Sequence, residues 1–349
     1  VVDDRHMQRA IELARPHKTH PNPRVGAVVV DSSGRIIGEG AHLGTGEDHA
    51  EVVALQAAGK ASVGSTLYVT LEPCTHHGRT PPCVEAVITA GVSRVVVGVG
   101  DPDVRVAGAG ITRLRAAGVE VIEGFLAAEI RELDPGYFHH RETGLPNVIL
   151  KYAMTLDGAV AAVDGTSQWI TSEEARADAH RLRADADAVV VGAGTLRTDD
   201  PRLSVRIQGY EGSQPVPVVV AGTGDLPETA RIWDREPLVL STTDRSVPSG
   251  RVVQVEGDDG LPDPTSACRV LSDLGYLDVL VEGGARLAGE WWRAGVINRG
   301  VVYIGAMVAG GAGISPLAGR FNTIGDAAVV SLTRVRSLGH DYRIDFELK

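Results

Sequence analysis

The sequence predicts an α/β protein of two domains, and three observations carry that reading. The chain has 349 residues, which at about 100–200 residues per domain is too long for one ordinary core. Apolar runs of strand length alternate with segments of helical period, which indicates sheets with helices on their faces. Between Leu133 and Pro146 the pattern breaks, at Asp134-Pro135-Gly136 and again at Thr143-Gly144-Leu145-Pro146. The expected domains are therefore 1–145 and 146–349.

Residues 4–15 read as a helix, with Met7, Ala10, Ile11 and Ala14 on one face. His20-Pro21-Asn22-Pro23 then breaks the chain, because two prolines cannot continue a helix. Residues 25–30 form a buried strand, Asp31–Gly34 a turn, and 35–42 a candidate hairpin partner. A helix over 49–59 ends at Gly59, a strand covers 66–70, and a helix over 82–90 is closed by Gly91. Strand 94–98, helix 110–117 and strand 119–122 follow. After the break come strand 148–152, helix 173–183, strands at 188–191, 216–220, 238–241 and 277–281, helix 285–294, and strands at 301–304 and 342–348.

Apolar content of 43% with 23% charged residues is that of a folded chain. No apolar run approaches the roughly 18–20 residues of a membrane span, and Val1-Val2-Asp3-Asp4 lacks the basic-then-apolar pattern of a secretory signal. Three cysteines are too few and odd in number for a disulfide framework, so a cytoplasmic location is expected. A net charge of -11 without a cluster of Lys and Arg argues against nucleic-acid or membrane partners.

The chemistry concentrates in His49-Ala50-Glu51, Pro73-Cys74 and Pro82-Cys83. Zinc prefers four tetrahedral nitrogen and sulfur ligands, and a catalytic zinc keeps one position for water. His49, Cys74 and Cys83 supply the other three. Zinc lowers the pKa of such a water to about 7. Glu51, two residues past His49 on the same helix, can take the water's proton and hand it to a leaving amine. Cys83 opens a helix, where unpaired N–H groups favour thiolate. Each piece alone is weak, and two buried thiols are the plain alternative. The joint pattern is that of the zinc deaminases of nucleobases. Here eight residues, Thr75–Pro82, separate the cysteines instead of two. That insert argues against an ordinary nucleoside or tRNA base deaminase with an unrelated second domain, the alternative reading. His76 and His77 in it could be rival ligands or face a substrate.

In the second half, Gly192-Ala193-Gly194-Thr195-Leu196-Arg197 lacks the third glycine of a dinucleotide fingerprint, and Thr198–Pro201 reads as a turn instead of a helix. Glu282-Gly283-Gly284-Ala285 follows a strand and opens a helix. It is either a phosphate cradle or a tight turn.

His20-Pro21-Asn22-Pro23-x-Val25-Gly26, His49-Ala50-Glu51, the run Thr70–Cys83 and Asp101-Pro102 resemble the bifunctional riboflavin-biosynthesis deaminase–reductase of bacteria. So do Lys151–Gly158, Ser167–Thr171, Thr195–Leu203 and Val281–Gly289. The resemblance implies a cytidine-deaminase-like α/β/α domain followed by a dihydrofolate-reductase-like α/β domain. It implies zinc-dependent deamination of 2,5-diamino-6-ribosylamino-4(3H)-pyrimidinone 5′-phosphate, then NADPH-dependent reduction of its ribosyl group to ribityl phosphate. It implies that Asn22, His42, His76 and Arg79 line the deaminase pocket, Arg79 either at the phosphate or as a plain surface residue. Cofactor contacts carried over are Ala153, Trp169, Thr195, Asp199, Gly284, Ala285, Arg286, Leu287, Ala288, Gly289 and Glu290. Substrate contacts are Lys151, Ser167, Arg183, Leu203, Arg206 and Glu282, the two arginines at the phosphate. For single residues plainer readings stand: Trp169 as core, Arg183 as a solvated helix residue. Cys268 is expected to be buried and idle. A homodimer through the reductase half is the family expectation.

Overall fold

The computed structural model describes residues 3–75, 81–103, 106–311, 313–319 and 323–348. The chain divides into two compact units, Val1–Gly144 and Leu145–Lys349. No helix among the described residues is long and apolar enough to cross a membrane.

The first unit begins with helix α1 (Asp4–Ala14), capped by the Asp3 carboxylate, which accepts from the Arg5 N–H. Its apolar stripe of Met7, Ala10, Ile11 and Ala14 is buried, as the 3.6-residue period requires. Strands β1 (Gly26–Val30) and β2 (Ile36–Ala41) form an antiparallel hairpin. Asp31 closes the turn by accepting from the Ser33 and Arg35 N–H groups, and Gly34 takes φ +86°. Helix α2 (Ala50–Ala58) returns across the hairpin to β3 (Thr66–Leu71). Then come α3 (Cys83–Thr89), β4 (Arg94–Val99), α4 (Ala109–Ala116) and β5 (Glu120–Ile122). Helices α5 (Ala127–Leu133) and α6 (Pro135–Thr143) end the unit, α6 taking Pro135 in its first turn. Among the described residues the sheet order is β2-β1-β3-β4-β5. β3, β4 and β5 run parallel, so their C-terminal ends deliver residues to one edge.

Helix α2 sits very close to β2. A Cβ at Gly38 would lie 2.1 Å from the Ala54 carbonyl oxygen, and one at Gly40 would lie 2.3 Å from that of Ala50. The alternating glycines of Gly38-Glu39-Gly40 thus fix the height of the helix that carries His49 and Glu51. Gly40→Ala is expected to cost about 1–3 kcal/mol through forced overpacking. Thermal melting of the full chain checks this; an unchanged melting temperature would contradict the close seating.

The second unit contains β6 (Asn147–Thr155), α7 (Glu173–Asp185), β7 (Ala188–Gly192), α8 (Ala193–Asp199), β8 (Val216–Val220), β9 (Leu238–Ser241) and β10 (Arg251–Gln254). A small hairpin follows, β11 (Gly257–Asp258) and β12 (Leu261–Pro262). Then come α9 (Pro264–Asp273), β13 (Asp278–Val281), α10 (Ala285–Arg293), β14 (Arg299–Gly305), β15 (Val330–Leu338) and β16 (Asp341–Leu348). Among the described residues the large sheet has the order β10-β9-β8-β7-β13-β6-β14-β16-β15. β10 through β14 in that order pair in parallel, and β14, β16 and β15 pair antiparallel. The central strands are continuous apolar runs because both faces are covered. One face packs Leu150, Val190, Val281 and Trp291, the other Val189, Leu196, Ile232 and Leu280.

Two expectations change here. The stretch after Gly192 is a short helix, α8: Gly192 is extended at its start, and Asp200 ends it at φ +40°. Strand β15 carried no sequence signal, since its residues are half-buried or exposed and show no strict alternation. Cys268 lies in α9, 1% exposed, with burial pushing its thiol up to about 12.

Candidate active sites

In the first unit His49 is the extended residue that starts α2, Cys74 follows β3, and Cys83 is the first residue of α3. His49 Nδ1 lies 3.0 Å from Cys83 Sγ and 3.6 Å from Cys74 Sγ, and the three ligand atoms all lie within 4.8 Å of one another. Tetrahedral zinc with Zn–S about 2.3 Å and Zn–N about 2.0–2.1 Å sets such atoms about 3.3–3.8 Å apart. The His49–Cys74 spacing already matches, the His49–Cys83 pair need open only by about half an ångström, and the nitrogen and two sulfurs are the ligand types zinc takes, so the donor set fits zinc. The Cys83 thiol, donating to Cys74, is the main influence on Cys74; with His49 it outweighs burial and holds Cys74 below the usual thiol range. The Cys83 N–H adds a contact to Cys74 Sγ at 3.4 Å. That places a thiolate where a cation would sit.

Glu51 lies in the first turn of α2, 3% exposed. Burial, then the Cys74 charge, pushes its carboxyl up to about 7. Asn22 Nδ2 donates to His42 Nε2 at 3.0 Å, and His42 Nδ1 donates to the Asp48 carbonyl at 3.2 Å. That pattern uses one donor and one acceptor of a neutral imidazole, and burial pushes His42 down. The His42 and His49 rings meet edge-on, 5.1 Å apart. So the expected pocket residues Asn22 and His42 do gather beside the ligands. Asn22 is held by its neighbour: Thr19 Oγ1 donates to the Asn22 carbonyl, and Asp134 accepts from the Arg24 N–H and the buried His20 ring. His76 and Arg79 lie outside the described residues.

In the second unit a cavity of 1510 Å³ opens at the C-terminal ends of the parallel strands, where such sheets bind ligands. Lys151 and Ala153 on β6, Ser167 and Trp169 beyond it, and Thr195 and Asp199 on α8 all line it. So do Arg183, Leu203, Arg206 and Glu282, and from the α10 start Gly284, Ala285, Arg286, Leu287 and Glu290. Ala288 and Gly289 do not reach it. Ala288 is 1% exposed within the core, and a Cβ at Gly289 would lie 2.1 Å from the Ala318 carbonyl oxygen. A helix presents only one side to a cavity, and these two residues face the other.

Arg183 is not a solvated helix residue. Its Nε and Nη2 grip Glu282 at 2.6 and 2.9 Å, and its Nη1 donates to the Ser204 carbonyl at 3.1 Å. Lys151 Nζ lies 3.7 Å from the same carboxylate. Burial pushes Glu282 up, but Arg183 and Lys151 outweigh it and hold the carboxyl down at about 2. Arg206 is exposed, and its guanidinium meets no acceptor among the described residues. Leu203, at φ +53° and 2% exposed, bends the loop that brings Arg206 back to the cavity. Trp169 is 60% exposed with Arg176 stacked 4.5 Å over its ring, so it is not core. Thr195 Oγ1 accepts from the Gly284 N–H at 3.0 Å, tying α8 to the start of α10. The free N–H groups of that first turn suit a phosphate. Arg197, within the Gly192–Arg197 stretch, and Gly222–Gly224 also line the cavity; no motif marks Gly222–Gly224, because only strand order brings the end of β8 beside β7.

Taken together, these features define a zinc-dependent deaminase unit joined to a nucleotide-binding reductase unit. The family model for the cytidine and deoxycytidylate deaminase zinc-binding region matches residues 1–99, and that for the RibD C-terminal domain matches residues 146–344. The riboflavin biosynthesis protein RibD of Mycobacterium tuberculosis is 45% identical over 319 residues, covering 88% of this chain and 86% of that one. The solved Acinetobacter baumannii RibD is 35% identical, with a TM-score of 0.92 and coverage of 99% and 98%. A Thermotoga maritima structure, described as a diaminohydroxyphosphoribosylaminopyrimidine deaminase/5-amino-6-(5-phosphoribosylamino)uracil reductase, is 33% identical, with a TM-score of 0.91 and the same coverage. The chain belongs to the RibD family of bifunctional riboflavin-biosynthesis enzymes, with zinc and NADPH as its cofactors. The reading as a nucleoside or tRNA base deaminase with an unrelated second domain is not favoured.

Proposed function

We propose that residues 1–145 deaminate 2,5-diamino-6-ribosylamino-4(3H)-pyrimidinone 5′-phosphate and that residues 146–349 reduce the ribosyl group of the product. The observation that carries this reading is the set of buried Glu51 beside His49, Cys74 and Cys83 in one unit and the cavity holding Arg183, Lys151 and Glu282 in the other. His49, Cys74 and Cys83 would hold zinc, which when bound supplies an acidified water at neutral pH. Glu51 takes a proton from the attacking water and delivers it to the departing amine, which leaves as ammonia. Asn22 and His42 orient the pyrimidine.

In the second unit Trp169, Thr195, Asp199 and the first turn of α10 hold the NADPH. The cofactor carries the hydride, so the chain's share is placement. Arg206 offers its whole guanidinium to the substrate phosphate, and Arg183 only the donors that Glu282 and Ser204 leave over. Glu282 holds Lys151 toward the sugar. We propose a cytoplasmic enzyme, on its unpaired cysteines, acting on small molecules. A homodimer through the reductase unit is supported by Leu332, Val335 and Tyr342, exposed at 62%, 55% and 53% on β15 and β16.

The test supplies the diaminopyrimidine ribosyl phosphate with and without NADPH and reads products by mass. Without NADPH one amine should be exchanged for oxygen; with it, two further hydrogens should be gained. Release of ammonia with no NADPH-dependent second product would remove the reductase assignment.

A further inference from the structure

Glu72 is separated from Cys74 by one proline, and it is 3% exposed. Four backbone N–H groups converge on its carboxylate. Those of Gly110 and Ile111 reach Oε1 at 2.8 and 3.2 Å, and those of Asp101 and Gly108 reach Oε2 at 3.2 and 3.0 Å. Three of these donors belong to the start of α4 or its cap Gly108, which adopts φ +81°. A carboxylate offers only acceptors and complements a helix start, so it satisfies donors that would otherwise be buried unpaired. The arrangement continues outward, since Asp101 Oδ1 accepts from the Asp103 N–H and from the Tyr137 hydroxyl, each at 2.9 Å.

The main chain here is fixed from two more sides. The Glu72 N–H donates to the Val99 carbonyl at 2.9 Å. A Cβ at Gly110 would lie 2.1 Å from the Pro73 carbonyl oxygen, so α4 rests directly on the peptide that leads into Cys74. Cys74 itself comes after the strand ends, its carbonyl accepting only from the Val84 N–H of α3 at 3.3 Å among the described residues.

We infer that Glu72 is a positioning residue for the metal site: its carboxylate seats the start of α4 against Pro73 and thereby sets where the Cys74 thiolate stands. The inference rests on the zinc reading. Outer partners of a metal ligand typically carry a 10–100-fold share of metal affinity, and here the partner acts through backbone instead of touching the sulfur.

The test uses the full chain loaded with Co²⁺. Glu72→Gln keeps the shape but turns an NH₂ toward two N–H donors. Expected are a Co²⁺ affinity weaker by about 10–100-fold, a displaced thiolate-to-cobalt absorption, and a far-ultraviolet circular dichroism spectrum and a melting transition of the first unit unchanged from wild type as the sign of a folded chain. Wild-type affinity and spectrum in Glu72→Gln would overturn the inference while leaving the zinc reading intact. No Co²⁺ uptake by the unsubstituted protein would overturn both. If Glu72→Gln is not recovered folded, Tyr137→Phe loosens the Asp101 end alone. A shifted cobalt spectrum then supports the role, and an unshifted one overturns it.

Discussion

Glu51→Gln is expected to keep its zinc and lose deamination by about 10²–10⁴-fold, the range supplied by a positioned general acid–base group. The amide matches the carboxyl in size but cannot carry a proton from water to amine. Glu51 is 3% exposed, so bulk water cannot easily stand in for it. The metal ligands are untouched, so zinc content by atomic absorption should equal that of the wild type. Supplied with already deaminated substrate, the variant should reduce it at the wild-type rate. Ammonia release within tenfold of wild type would show that another group moves the protons.

The second large effect is expected at Glu282. Its carboxylate lies between Arg183 and Lys151, with side-chain exposures of 8%, 14% and 18% respectively. Glu282→Gln leaves two nearly buried cations without their counter-charge, a change that costs about 3–5 kcal/mol. Reduction should fall with it, because Arg183 and Lys151 lose the group that aims them. The pH dependence gives an independent check. The folded carboxyl sits at about 2, below its ordinary 4.5. A group lowered on folding stabilises fully above its unfolded value and loses that contribution as pH falls through the folded one. Wild type should therefore shed about 3 kcal/mol between pH 4.5 and 2 from this group. Denaturant melts of Glu282→Gln should lack that loss, and a variant that tracks wild type across this range would refute the assignment.

How much of this was legible in sequence follows from how local each signal is. The zinc set could be read because His-x-Glu and the two Pro-Cys pairs sit where elements begin or end, and Met7, Ala10, Ile11 and Ala14 announce α1 by period alone. Helix α8 was not legible. Its seven residues are too few to show a period, and Asp199-Asp200-Pro201 looks like a turn, which it is only after the helix has ended. The resemblance marked α10 as a block, 284–290, but a helix cannot turn every residue to one cavity, so Ala288 and Gly289 drop out. Glu72 looked like part of a motif. Its four N–H partners lie 29 to 39 residues away, and nothing local marks them. Likewise, the bidentate grip of Arg183 on Glu282 joins residues 99 apart.

Strand β13 pairs with β7 on one side and β6 on the other. During synthesis, β6 leaves the ribosome more than a hundred residues, and β7 more than eighty residues, before the strand that belongs between them. Until residue 281 has emerged, each has an unsatisfied apolar edge, the kind of surface on which nascent chains aggregate. Such non-local pairing also makes for slow folding. The last strand into the gap is the one that leads directly into Glu282, so a chain truncated before it should be both unable to reduce and prone to precipitate.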